Sequence, residues 1–106
     1  MKYLALSILA LSSCAASTVY RQPGAPSLSP SMPAEVRVYS GEPKGAYVIL
    51  GSVAADRLGG ADDAVELLRE KAASLGANAV IGVRLTKIDL ASGRTGLSGT
   101  AVRLGR

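Results

Sequence analysis

Histidine, tryptophan and phenylalanine are absent from the 106 residues, and there is one cysteine. Without an imidazole there is no histidine general base, no Ser-His-Asp or Cys-His nucleophile system and no histidine-containing zinc site. One thiol cannot close an internal disulfide or build a thiolate cluster. Aromatic residues are scarce too, at 4% of the chain and all of them tyrosine. That leaves few platforms for stacked bases and argues against nucleic-acid binding. The apolar run from Tyr3 to Leu11 would cover about 14 Å as a helix, roughly half a hydrocarbon core, so a permanent membrane span is not expected there. No nucleophile with a neighbouring base can be named, so the chain reads as non-enzymatic, and no cofactor is implied.

The start of the chain is more informative. Lys2 precedes the apolar run, and small residues follow it, the layout of an export signal. Leu11-Ser12-Ser13-Cys14 resembles the lipobox of bacterial lipoproteins, an aliphatic residue and two small ones before an obligatory cysteine. The resemblance implies that residues 1–13 are removed and that the Cys14 thiol takes up a diacylglyceryl group, with acylation of the freed amine. Two or three acyl chains, at about 0.8 kcal/mol per buried methylene, would hold the protein on a bilayer. Ala15 is not Asp, which by resemblance to enteric lipoproteins implies the outer membrane, with the domain facing the periplasm. The other reading is an ordinary signal cleaved nearby, after Ala15 or Ala16.

Residues 15–33 hold Pro23, Pro26, Pro30 and Pro33 with several serines. Such a composition buries too little surface to offset ordering entropy. Residues 14–33 are therefore expected to be a lipidated cysteine and a disordered tether, reaching about 60 Å if extended or roughly 24 Å as a coil.

Residues 34–106 carry periodic apolar positions. Glu35 to Tyr39 alternates like a half-buried strand, and Ala46 to Ala54 is nearly continuously apolar, which suits a central strand covered on both faces. Gly51 marks a bulge or a close backbone approach. Asp63 and Glu66 have capping-box spacing, with Asp63 as N-cap and Glu66 at the third helical position. The helix should run to about Leu75 with Ala64, Val65, Leu68, Ala72 and Leu75 inward and Ala73 outside the stripe, ending at Gly76 as a left-handed cap. Asn78 to Ile88 alternates with Ala79, Ile81, Val83 and Leu85 on one face. A loop over Asp89 to Gly96 and a strand over Leu97 to Leu104 complete the reading. The expected fold is α+β, a β-β-α-β-β sandwich with one helix on a mainly antiparallel four-stranded sheet.

Leu75-Gly76-Ala77-Asn78-Ala79-Val80-Ile81-Gly82-Val83 and Ser98-Gly99-Thr100-Ala101-Val102 resemble the closing half of YbjQ-type domains, which are labelled heavy-metal-binding. The wider layout, from the lipobox through Val36-Arg37-Val38-Tyr39, Leu50-Gly51-Ser52-Val53 and Ala77-Asn78-Ala79-Val80 to Ser92-Gly93, is similar to RcsF-like envelope stress-sensor lipoproteins. The disulfides that brace RcsF-like domains are impossible here. Two functional readings follow. The first is a non-enzymatic outer-membrane lipoprotein that binds other envelope proteins in surveillance. The second is a homo-oligomeric ligand- or ion-binding module of YbjQ type. No metal site is expected: only carboxylates such as Asp62 and Asp63 could serve as hard ligands, and helix capping accounts for them. Gly93, Gly96 and Gly99 form GxxGxxG, which is not the dinucleotide fingerprint. Arg84, Lys87, Arg94, Arg103 and Arg106 gather toward the C-terminal hairpin and read as a solvated basic face, the functional alternative being attraction to anionic headgroups or lipopolysaccharide phosphates.

Overall fold

The computed structural model describes residues 16–89 and 91–105. The signal segment 1–13, and with it Leu11, Ser12 and Ser13, lies outside the described residues, as do Cys14, Leu90 and Arg106. In chain order the elements are β1 (Ala16–Arg21), a 3-10 turn (Pro33–Glu35), β2 (Arg37–Val38), β3 (Tyr47–Leu58), α1 (Ala61–Ser74), β4 (Ala79–Asp89) and β5 (Arg94–Leu104). They form one five-stranded sheet in the order β1-β3-β5-β4-β2 with the helix on one face. Every pairing is antiparallel except β2 with β4. The α+β class is as expected, with a fifth strand added.

That strand comes from the segment expected to be a disordered tether. β1 pairs with β3 from Ala16↔Asp56 to Arg21↔Gly51, and the Gln22 amide continues the ladder to the Leu50 carbonyl at 2.9 Å. All six β1 residues are exposed. Backbone pairing docks the strand, so low apolar content did not forbid it. The chain then returns beside α1: the Ser31 amide donates to the Ala73 carbonyl at 2.9 Å, and the Ser31 hydroxyl donates to the Ala77 carbonyl. The domain therefore starts no later than residue 16 rather than at 34.

The helix also begins earlier than expected. Gly59 turns the chain, Gly60 is the N-cap, and Asp63 lies at the third helical position, accepting from the Gly60 amide at 3.2 Å. Asp62 and Asp63 complement the positive end of the helix dipole. Glu66, one turn further on, pairs instead with Arg69 at 3.0 Å. At the other end Gly76 has φ +82°, its amide reaches the Ala73 carbonyl, and the Ala77 amide reaches the Ala72 carbonyl. Those two bonds make a Schellman motif.

Ala64, Leu67, Leu68, Ala72 and Ala73 are the buried face of α1. They pack on Val36, Leu50, Val53, Ala55, Val80, Leu97 and Ala101. Small residues on both surfaces let helix and sheet approach closely, which is how a core without Phe or Trp is filled. Ala73, expected outside the stripe, is 3% exposed, because the segment around Ser31 folds back on that side. β3 is covered by the helix on one face only, unlike the doubly buried strand expected. At its start the register shifts between Ile49 and Gly51, and a Cβ at position 51 would collide with the Tyr20 carbonyl of β1. Both readings of Gly51 hold together.

Candidate functional site

The sheet face away from α1 carries no helix and is exposed over part of its area. Cross-strand pairing arranges its side chains in rows: Tyr20, Ser52, Thr100 and Ile81 in one, Thr18, Ala54, Ser98 and Arg84 in the next. On one side of these rows Ala79, Ile81 and Val102 form a small apolar cluster with Tyr39, Tyr47 and Leu104. On the other, Asp56 accepts from Arg94 at 2.8 Å and lies 3.7 Å from Lys87. Between the two is a shallow concavity of about 260 Å³, lined by Thr18, Tyr20, Ser52, Val53, Ala54, Gly82, Arg84, Ser98, Gly99 and Thr100. Five of these residues carry hydroxyls, one is a guanidinium, and none is a carboxylate.

Arg84 reaches this face because β4 does not alternate regularly. The pairs Ile81↔Thr100 and Arg84↔Ser98 leave Gly82 and Val83 opposite Gly99 alone. Two residues facing one, the first a glycine at φ +62°, is a G1 bulge. It turns Val83 onto the core cluster and Arg84 into the groove. Alternation had placed Ala79, Ile81, Val83 and Leu85 together; the bulge separates Val83 from Ala79 and Ile81. The extra amides of the bulge are satisfied from the strand's outer edge, Gly82 donating to the Gly41 carbonyl at 3.1 Å and Val83 to the Tyr39 carbonyl at 3.0 Å. A second shift falls between Leu85 and Lys87, against Gly96.

The GxxGxxG glycines thus have structural work. A Cβ on Gly99 would lie 2.6 Å from Val80 Cγ1 and 2.9 Å from Val83 Cγ2, and one on Gly96 would lie 2.8 Å from Thr86 Oγ1. Gly93 closes the β4–β5 turn, donating to the Asp89 carbonyl at 2.8 Å. In that turn the Ser92 hydroxyl and amide hold the Asp89 carboxyl below the usual carboxylate range. The turn is shorter than the loop expected over Asp89 to Gly96, since β5 already begins at Arg94.

Of the cations among the described residues, Arg84, Lys87 and Arg94 lie on the sheet face away from α1, while Arg103 turns to the end of the helix. Lys87 and Arg94 share Asp56, Arg103 donates to the Gly76 carbonyl at 3.3 Å, and Arg84 stands in the groove with no ion-pair partner among the described residues. Asn78 serves the fold: its side-chain oxygen accepts from the Leu104 amide at 2.7 Å, extending the sheet.

Residues 58–105 match the YbjQ_1 family model, described as "Putative heavy-metal-binding". That stretch runs from the end of β3 through α1 and the β4–β5 hairpin, and so includes both register shifts of β4 and Arg84. The structure is also similar to the crystal structure of a Francisella virulence factor, FvfA, with a TM-score of 0.60 over 82% of this chain and 96% of that one. At 19% identity, this likeness shows the fold alone. No curated protein matches the chain significantly.

Soft heavy-metal ions favour thiolate or imidazole donors, and a carboxylate site needs several side chains converging on one ion. The chain has no histidine and one cysteine, and no group of three or more His, Cys, Asp or Glu side chains is close enough among the described residues to hold an ion. Of the two candidate carboxylates, Asp63 is engaged with the Gly60 amide. These residues do not fit a heavy metal.

Because Gly99 admits the bulge, Gly99→Ala is expected to lower stability by about 2–3 kcal/mol through overpacking against Val80 and Val83. Gly41→Ala, with nothing within 4 Å of the new methyl, should change it by less than about 0.5 kcal/mol. Urea denaturation of both variants measures the difference.

Proposed function

We propose that the chain is a non-enzymatic binding module that takes a small, hydroxyl-bearing ligand in the groove on the open sheet face. The observation that carries this reading is the concentration of Thr18, Tyr20, Ser52, Ser98 and Thr100 in one concavity. Its volume is below the roughly 300–1,000 Å³ of sites for drug-sized molecules, which suits a small guest. Hydroxyls both donate and accept, so the row can exchange water for the hydroxyls of a polar ligand without leaving unpaired groups. Catalysis is not part of the proposal, because no lining residue can act as a general base beside these hydroxyls. The match to a family described as heavy-metal-binding supports a binding role in general, while the donor set among the described residues does not suit a heavy metal. The RcsF-like surveillance role has sequence resemblance alone behind it.

The proposal includes attachment to a membrane through Cys14. No helix among the described residues is long and apolar enough to cross a bilayer; the anchor proposed is the lipid on Cys14. Since β1 begins at Ala16, two residues past Cys14, an acyl-bearing cysteine would hold the sheet within about 7 Å of its lipid rather than on a long leash.

Two measurements test these statements. In a thermal-shift screen of sugars, polyols and their phosphates, at least one compound should raise the melting temperature of the full chain. The same compound should fail to do so for the Thr18→Val, Thr100→Val double variant. Equal stabilisation of both proteins, or none of the wild type, counts against the groove. Mass spectrometry of the chain isolated from bacterial membranes should find diacylglyceryl on Cys14 as the first residue; a free thiol there contradicts the anchor.

A further inference from the structure

We infer that the groove selects a phosphate ester, with Arg84 as the residue that sets the charge of its ligand. This rests on the binding role proposed above and adds the ligand's chemical class. Three observations carry it. Arg84 is placed on the open face by a bulge whose Gly82 adopts φ +62°, not by regular alternation, so the fold departs from its simplest ladder at the point where a cation enters the groove. No ion pair engages Arg84 among the described residues, whereas nearby Lys87 and Arg94 are both drawn to Asp56. The lining holds no carboxylate to repel or replace an anion, and Ser98, which bears a hydroxyl, is paired directly across from Arg84, with Thr18 further along the same row.

A guanidinium presents two parallel N–H groups that match two oxygens of a phosphate, and neighbouring hydroxyls can donate to the third. The remaining hydroxyls, with Tyr20 at the rim, suit the alcohol groups of the frame that bears the phosphate. The same chemistry exists in a free sugar or polyol phosphate and in a lipid headgroup. A lipid source is within reach, since Thr18 is two residues along β1 from Ala16, about 7 Å.

The test is an amide-shift titration by NMR of the full-length, 15N-labelled chain in a non-ionic detergent, using glycerol 3-phosphate and, separately, glycerol. Saturable shifts at Thr18, Tyr20, Ser52, Ser98 and Thr100 are expected with glycerol 3-phosphate. Binding at least tenfold weaker is expected for glycerol, and for glycerol 3-phosphate with Arg84→Gln, whose spectrum should otherwise match the parent. In bicelles containing phosphatidylglycerol, the same shifts would support the inference with a lipid as the source; their absence beside binding of the free ester supports it with a soluble source. Equal affinity for glycerol and its phosphate, or undiminished binding by Arg84→Gln, overturns the inference while leaving the groove as a binding site. Shifts in neither titration, or shifts that map elsewhere, overturn both.

Discussion

Two residues of β4 face one residue of β5 at Gly82, Val83 and Gly99, and the character of the open sheet face depends on that mismatch. A residue other than glycine at φ +62° would cost roughly 1–2 kcal/mol, and a larger residue than glycine at 99 would strike Val80 and Val83. Both requirements are met by the sequence, and the amides freed by the bulge are taken up by the carbonyls of Tyr39 and Gly41. The outcome is a change of phase. Val83 adds to the core, and Arg84 takes the place across from Ser98, in a row with Ala54 and Thr18, in place of a methyl-bearing side chain.

The rest of the domain keeps that face accessible. One helix with alanines on its buried side sits low on the opposite face, so the core is thin and needs no large aromatic residue. β1 widens the sheet without burying a side chain of its own and supplies Thr18 and Tyr20 to the groove. The segment after it lies against the end of α1, where the Ser31 amide and hydroxyl take up the Ala73 and Ala77 carbonyls. A part of the chain that composition marks as a spacer is thereby integral to both the fold and the site.

What the sequence disclosed follows from the range of the forces involved. The helix, its end at Gly76 and the close approach at Gly51 are local or steric signals, and residue identity announces them. The N-terminal cap was displaced because Asp63 is equally apt as an N-cap and as the third residue that answers one; the Gly59-Gly60 pair decided between them. β1 was missed because proline and serine dominated its neighbourhood, although Thr18-Val19-Tyr20 has the composition of a strand. The groove could not be read at all: Arg84 reaches it only through a register shift that depends on pairing with β5. A Gly82-Val83 step opposite a second glycine was the one available sign, and it becomes meaningful only when the partner strand is known.

The account stands on the phase of β4 beyond Ile81. A NOESY spectrum of the isotope-labelled full chain reads it directly. The bulge requires cross-strand backbone contacts between Arg84 and Ser98, with Val83 methyl groups close to Gly99 and Val80. An uninterrupted ladder would instead pair Val83 with Ser98 and Arg84 with Leu97, and observing those contacts would contradict the placement of Arg84 in the groove.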